Sequence, residues 1–456
     1  MPLEIIILAA GQGTRMRSAL PKVLHKVGSK SLLEHVHALA ASLSPDQISI
    51  IYGHGGEQVP RTLARLDAVW AEQKQQLGTG HAVMQVADGI GDDATVLILY
   101  GDVPLLKKTT VEKLLPLVGP DSLGLLTVEL DDPHGYGRIV RDETGRVLRI
   151  VEEKDANPQE RAITEGNTGI LALNGRRLKS WLGRLGTDNA QGEYYLTDVI
   201  ALAVAEGCTV ATAQPASMDE VLGVNNRQQL AHLERVFQAE QAEALLLAGA
   251  TLRDPARFDL RGEIVALGRD VEIDVNVILE GRVKLGDRVK IGPNTLIRDC
   301  EIGDDVEIFA NCVLEDAVVG RASRIGPYAR LRPETRLAEE VHIGNFVEIK
   351  KSTIAQGSKA NHLSYIGDTD MGAGVNIGAG TITCNYDGVN KHRTIIEDGV
   401  FVGSDSSLVA PVRIGKDATI GAGSVITKEA PQGQLTLTRA KQVTIAGWQR
   451  PTKARS

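Results

Sequence analysis

Cysteine is scarce and scattered: Cys208, Cys300, Cys312 and Cys384 are the only four in 456 residues. No pair has C-x-x-C spacing, so neither a structural zinc site nor a disulfide framework organises the chain. Long apolar runs are also missing. The stretch from Met1 to Leu8 carries Glu4 and soon meets Gly11, which is too short and wrongly charged for a signal peptide. No run is long enough to span a membrane, so the expected location is the cytoplasm and no membrane partner is expected. Positive charge is not in excess. Fifty Lys and Arg face 58 Asp and Glu, a net charge of -8, which gives no reason to expect nucleic acid as a partner. A nucleotide or sugar phosphate would need basic residues placed locally against that background. Aromatic residues make up 4% of the chain, a level that suits an aliphatic core.

At this length one core is too few, and two or three domains are expected. The first half alternates apolar runs with amphipathic stretches. Ile5-Ile6-Ile7-Leu8, Ile48 to Tyr52 and Thr95 to Tyr100 read as buried parallel strands, and Ser31 to Leu43 as a helix between them. That order predicts a doubly wound α/β domain over 1–227. From about Asn226 a single helix follows, with Leu230, Leu233, Phe237, Ala244 and Leu247 on one stripe and Gly249 as a left-handed C-cap. It is expected to be a connecting arm over 228–248.

The remainder, 249–456, is a repeat. Aliphatic-Gly pairs recur from Leu267-Gly268 to Ile420-Gly421, many of them six or eighteen residues apart. Six residues per side and eighteen per turn describe a three-sided parallel β-solenoid, with the aliphatic residue inward and Gly at the corner. The period slips between Ile377 and Val402, where the polar segment Cys384–Arg393 is expected to leave the coil as a loop on the binding face.

The first strand runs into Leu8-Ala9-Ala10-Gly11-Gln12-Gly13-Thr14-Arg15-Met16. Glycines here let backbone amides approach an anion, and a following helix N-terminus would add its dipole. No Gly-Lys-Ser/Thr follows, and Met16 replaces the last glycine of a dinucleotide fingerprint, so this is neither a Walker A loop nor that fingerprint. Arg15 and Lys22 would neutralise phosphate, whereas an ordinary packing turn needs neither. Asp102 ends an apolar strand, with a cap of the next turn as the lesser alternative; Asn225 or Asn226, on its own, reads better as an N-cap of the long helix.

The segment Gly11 to Met16 with Pro21-Lys22 resembles the signature of sugar-1-phosphate nucleotidyltransferases. Gln73 and Leu77-Gly78-Thr79 resemble the uracil-reading segment of their uridylyl branch, and Tyr100-Gly101-Asp102 the position of a magnesium ligand. Gly135-Tyr136-Gly137-Arg138, Glu152 and Asn167-Thr168-Gly169 resemble sugar-contacting positions, and Asn225 a second Mg²⁺ ligand. The resemblance implies that a sugar-1-phosphate oxygen attacks the α-phosphorus of UTP in line and expels pyrophosphate. Leu8, Ala9 and Ala10 would join the nucleotide site.

The repeat half resembles hexapeptide acyltransferases, whose fold is a left-handed parallel β-helix. With both motif sets in order, the whole chain resembles the bifunctional enzymes that make UDP-N-acetylglucosamine. That resemblance implies His362 as general base for acetyl transfer from acetyl-CoA to glucosamine-1-phosphate; from the residues themselves, Glu348 is expected to orient and charge-stabilise the imidazole. Arg332 and Lys350 would hold the sugar phosphate, with Tyr365 and Asn376 on the sugar. Ala379, Asn385, Tyr386, Ser404, Ala422 and Arg439 would line the acetyl-CoA site. The product, N-acetylglucosamine-1-phosphate, would then meet UTP in the first domain, and a homotrimer is implied. Gln12 departs from the family pattern where lysine is frequent, and Glu153 where a polar or histidine residue is commoner. Two competing readings are a nucleotidyltransferase for another sugar with a non-catalytic coil, and a trimeric scaffold. His362 with Asn385-Tyr386 argues against the first, and Arg15, Lys22 and Asp102 against the second.

Overall fold

Ile5, Ile6, Ile7 and Leu8 are buried on alternating sides of one central strand, Ile5 and Ile7 in one apolar cluster, Ile6 and Leu8 in another. Both faces of the strand are covered, which is why the run is apolar throughout. The computed structural model describes residues 2–53 and 55–453. The chain divides into two units, Met1–Phe237 and Gln238–Ser456.

The main sheet of the first unit has nine strands among the described residues: β1 Leu3–Ala9, β2 Gln47–Tyr52, β3 Val69–Glu72, β4 Thr95–Tyr100, β5 Ser122–Glu129, β6 Arg138–Arg141, β7 Val147–Val151, β8 Glu165–Asn174 and β9 Thr209–Ala213. The sheet order is β9-β5-β8-β4-β1-β2-β3, with the β6–β7 hairpin attached to β8. β1 pairs in parallel with both β2 and β4, while β8 runs antiparallel to β4 and β5. The chain therefore leaves β1 toward β2 on one side and returns as β4 on the other. The carboxyl ends of β1 and β4 flank a switch point, where open α/β sheets bind their ligands.

The helix expected over Ser31 to Leu43 spans Leu32–Ser42, with Ser31 and Glu34 forming a capping box. The helix expected directly after the Gly11 loop is absent. Thr14–Met16 is a three-residue 3-10 turn, framed by left-handed Gly13 (φ 62°) and Arg17 (φ 48°). A turn this short, between two left-handed residues, has no dipole to offer, so an anion here depends on amides and cations.

The long helix spans Arg227–Leu247 and crosses from the first unit into the second. Leu233 packs in the first unit, Ala242 and Leu245 in the second. The expected stripe holds to Phe237 and then fails: Ala244 is exposed and Leu247 is 83% exposed. The inward positions of the last turns are Gln238, Ala242 and Leu245, one residue out of phase. Gln238 sets them by exchanging hydrogen bonds with the Leu260 backbone, accepting at 2.7 Å and donating at 3.1 Å. Gly249 (φ 98°) closes the helix in the left-handed region.

The second unit is a left-handed parallel β-helix of hexapeptide repeats. One face is an eleven-stranded parallel ladder, and the other two share a seventeen-stranded path. Ile291, Ile308, Ile325, Ile343, Ala360, Ile377, Val402 and Ile420 stack in register as one column of the core. Coils take seventeen or eighteen residues. The coil that pairs Ile377 with Val402 is longer by the Asn385–His392 excursion, a small hairpin closed by a Tyr386–Lys391 bridge and a 2.8 Å His392 N–H to Asn385 carbonyl bond.

The repeat glycines do a different job from the one expected. Apart from Gly326 (φ 96°) they are not left-handed residues; Asn276, Asn294, Asn311, Asp305 and Asp316 hold such corners. Asn and Asp adopt that region at least cost among residues with a side chain. A Cβ on Gly286 would instead stand 2.6 Å from the Asp304 nitrogen of the next coil. Glycine is required because successive coils touch there.

Candidate functional site

In the first unit the ends of β1 and β4 and the segment after β3 enclose a cleft of about 390 Å³. Leu8, Ala9, Ala10, Gly11, Lys22, Gln73, Gly78, Thr79, Tyr100 and Asp102, all singled out in the sequence, line it together. Glycine 13, left-handed, lies so close to Lys22 that a Cβ would stand 2.7 Å from the lysine stem. The loop thereby aims Lys22 inward. Its Nζ pairs with Asp102 Oδ2 and lies 3.3 Å from Asn225 Oδ1. Residues more than two hundred positions apart thus meet at one cation. Gly101 permits this: its N–H donates to the Leu8 carbonyl at 2.8 Å, and a Cβ would press on Ala9 at 3.1 Å. Arg15 is exposed on the 3-10 turn and does not line the cleft.

Gln73 is 4% exposed; its Nε2 donates to the Gly78 carbonyl at 2.9 Å and lies 3.1 Å from His81 Nδ1. Gly78 (φ 107°) is pinned against the 193–194 backbone, where a Cβ would come within 2.6 Å of the Tyr194 carbonyl oxygen. That packing brings Glu193 to the cleft wall, and Gln12 reaches across to donate to Gln76 Oε1 at 2.8 Å. Glu193 and Gln76 were missed by sequence reasoning. Nothing in their local sequence distinguishes them from solvated polar residues, since the tertiary fold alone places them.

Gly137, Glu152 and Asn167 form a second cluster: a Cβ on Gly137 would lie 3.6 Å from both the Asn167 Cβ and Glu152 Oε2. A register shift in β8 between Asn167 and Leu171 turns this segment outward. Gly169 (φ 80°) then lies directly on the Tyr100 ring, tying the cluster to the cleft. Burial raises the Glu152 pKa against a 3.0 Å hydrogen bond from Thr197, with Asp198, Asp155 and Glu193 adding to the rise. Burial, with Glu152 and Asp102 nearby, pushes the Tyr100 hydroxyl well above its usual range. Glu153 turns away and pairs at 2.6 Å with the buried Arg138 guanidinium.

In the second unit His362 ends a strand in register with Asn345 one coil below, and its Nδ1 lies 2.8 Å from Asn345 Oδ1. Glu348 does not orient the imidazole. It accepts from Arg332 at 2.8 Å and stands in register with Tyr365 on the next face, three positions past the corner that carries Asn345. Asn345 was missed, although its seventeen-residue offset from His362 places it one coil away. Lys350 sits 4.0 Å from Asp368, and Asn385 donates to the same carboxylate and lies 3.4 Å from the Tyr365 hydroxyl. The neighbouring Lys350 ammonium pulls Lys391, from the hairpin, below the usual lysine range. Tyr386 is exposed on the same hairpin.

Ala379, Ser404 and Ala422 follow His362 at the same corner in successive coils. Gly380 N–H reaches the His362 carbonyl, Asp405 that of Ala379 and Gly423 that of Ser404. Arg439 closes the column beside Gly421 and Gly423. Asn376 stands apart on the outer side of the eleven-stranded face. One chain therefore groups Arg332, Lys350, Tyr365 and Asn385 on one face and the His362–Arg439 column on an edge, with Asn376 on a second face.

Residues 5–155 match the MobA-like NTP transferase domain, 262–360 the GMPPB C-terminal domain and 393–428 the bacterial transferase hexapeptide in six repeats. A protein of Methylococcus capsulatus named bifunctional protein GlmU is 67% identical over 100% of this chain and 99% of its own length. Proteins of the same name from Azoarcus sp. and Ralstonia nicotianae are 58% and 59% identical, each over 99% of this chain and 100% and 99% of their own.

Proposed function

The chain belongs to the GlmU family of bifunctional proteins, and from that premise we propose that each unit carries one of two transfers. Residues 249–456 acetylate glucosamine-1-phosphate with acetyl-CoA, and residues 1–227 transfer UMP from UTP to the N-acetylglucosamine-1-phosphate so formed, giving UDP-N-acetylglucosamine and pyrophosphate. The observation that carries this reading is the meeting of Lys22, Asp102 and Asn225 at the mouth of a nucleotide-sized cleft.

Asp102 and Asn225 fit a magnesium ion. Both present oxygen to a point that one ammonium already reaches, and magnesium takes one or two protein oxygens and fills its sphere with water and phosphate. When bound there, Mg²⁺ supplies charge neutralisation for the triphosphate. The chain's own residues do the rest. Lys22 neutralises phosphate and Arg15 adds charge at the rim, while the Gly11 loop brings amides close. Gln73 with Gly78 and Thr79 holds the uracil, and Gly137, Glu152 and Asn167 hold the sugar. The sugar-phosphate oxygen then attacks in line, and positioning with charge stabilisation carries the step.

In the β-helix, a carboxamide oxygen of Asn345 accepting from Nδ1–H leaves the His362 Nε2 lone pair outward as base. It takes the proton from the sugar 2-amine as the nitrogen attacks the thioester carbonyl, and returns it to the coenzyme A sulfur as the C–S bond breaks, leaving the amide and free thiol. Arg332, Lys350 and Lys391 attract the sugar phosphate, and the Ala379–Ser404–Ala422–Arg439 edge suits an extended thioester substrate. Among the described residues no helix is long and apolar enough to cross a membrane. A cytoplasmic location is proposed, supported by four free cysteines.

A homotrimer is also proposed. Tyr328, Phe346 and Leu363 occupy left-handed corners in successive coils and are 52, 54 and 63% exposed, an apolar edge next to His362 that a second copy would cover. Product analysis with glucosamine-1-phosphate, acetyl-CoA, UTP and Mg²⁺ tests the assignment. UDP-N-acetylglucosamine is expected only when all four are present, and a chain that accepts UTP but never acetylates would leave the β-helix without this role.

A further inference from the structure

Gln73 offers the cleft only one kind of group, because both hydrogens of its amide nitrogen are taken. The Gly78 carbonyl can only accept, so the amide atom 2.9 Å from it must be Nε2. The same nitrogen lies 3.1 Å from His81 Nδ1, which must then be the unprotonated ring nitrogen. Among the described residues no donor reaches Gln73 Oε1, and Gln73 lines the cleft while 4% exposed. The amide therefore turns its carbonyl to a ligand and has no room to reverse.

The acceptors are themselves fixed. The Gly78 turn is stapled by Tyr194 N–H to the Leu77 carbonyl and by Gly80 N–H to the Tyr194 carbonyl, both 2.8 Å. The His81 ring stacks on Tyr194, 6.3 Å between centroids and 28° between planes. On the far side Gln85 Nε2 donates to the His81 carbonyl at 2.9 Å and lies 3.2 Å from His81 Nε2, but Gln85 is exposed and water can replace either contact, whereas buried Gln73 has no such exchange.

We infer that His81 is a positioning residue for base selection: it locks the Gln73 carboxamide so that the uridylyl site presents an acceptor to N3 of a pyrimidine. Uracil carries a hydrogen at N3 and donates to that oxygen. Cytosine carries a lone pair there and is repelled. A site that hydrogen-bonds one base and leaves a buried polar group unpaired with the other discriminates far more strongly than a fit of shape. This inference rests on the uridylyl reading of the cleft and adds the residue that sets its selectivity.

The test compares UTP with CTP in the full-length chain carrying His81→Phe, His81→Asn or Gln73→Leu. Phenylalanine keeps the ring on Tyr194 and removes the acceptor; asparagine restores an acceptor near Nδ1. His81→Phe is expected to lower the ratio of kcat/KM for UTP to that for CTP about tenfold, the worth of one lost hydrogen bond, mainly through KM for UTP. His81→Asn is expected to recover most of that ratio, and acetyl transfer to stay unchanged in all three. If His81→Phe keeps the wild-type ratio while Gln73→Leu loses it, the positioning role is overturned and the uridylyl reading stands. If His81→Phe loses kcat equally for both nucleotides and melts earlier, the residue is structural and the proposal falls. If the unaltered chain turns over no UTP, the reading beneath it falls as well.

Discussion

Lys22 Nζ touches oxygens of both Asp102 and Asn225, so each of those side chains is held by charge rather than by apolar packing. Asp102→Ala is therefore expected to fold normally and to lose metal-dependent UTP turnover by at least about a hundredfold, while acetyl transfer stays near wild type. Full uridylyl transfer by this variant at limiting Mg²⁺ would remove Asp102 from the metal site. At the other site, His362→Ala is expected to slow acetyl transfer by roughly 10²–10⁴-fold, the usual worth of a positioned base. Asn345→Ala should cost about fivefold, the rate equivalent of one neutral hydrogen bond of about 1 kcal/mol, with KM for glucosamine-1-phosphate unchanged. Glu348→Gln should act differently, raising that KM by loosening Arg332. Glu152 permits a pH test. Burial raises its pKa in the folded chain, so its stabilising contribution is present below the unfolded value and is lost as pH rises through the folded one. At neutral pH the carboxylate therefore costs stability. Glu152→Gln should melt later than wild type at pH 7, with the difference vanishing in acid, and should use N-acetylglucosamine-1-phosphate poorly.

At the scale of the element, both units stretch regular structure where the proposed chemistry lies. The β8 register shift turns Asn167 toward Glu152, and the Asn385–His392 hairpin leaves the coil beside Lys350. Neither excursion disturbs the core, because the strands resume pairing on each side and Ile377 still stacks on Val402. Regular coils tolerate far less. A methyl on Gly286 would meet backbone at 2.6 Å, and backbone cannot rotate away as a side chain can. Gly286→Ala is expected to destabilise the β-helix by about 1–3 kcal/mol, the usual cost of overpacking, read as an earlier second transition in thermal unfolding. An unchanged transition would mean that the coils can spread to admit it.

For the whole molecule, the residues proposed for acetyl transfer are spread over one face, one edge and a second face, which supports the proposal that a second chain helps to complete the site. A closed cyclic oligomer supplies identical shared sites. Mixing inactive His362→Ala with an inactive Asn376 variant and letting subunits exchange is expected to restore part of the acetyl transfer in mixed trimers. Full activity from a species that sediments as a monomer would end the proposal.

Periodicity alone determined the architecture. The apolar runs at Ile5, Ile48 and Thr95 and the aliphatic-Gly repeat became strands and coils because burial on both faces, or inward stacking every six residues, favours aliphatic side chains in those places. The slip between Ile377 and Val402 likewise announced an excursion, since a core column cannot skip a place without expelling chain. What the sequence could not supply is which polar groups meet. Glu193 at the cleft wall, Gln12 bridging to Gln76, Asn345 rather than Glu348 on His362, and the shift of the long helix's inward stripe to Ala242 and Leu245 all depend on pairing register and packing between distant segments. Hydrogen bonds act over about 3 Å, so their partners are decided by where the backbone finally lies. Hydrophobic burial is non-directional and follows pattern, which is why it was legible along the chain.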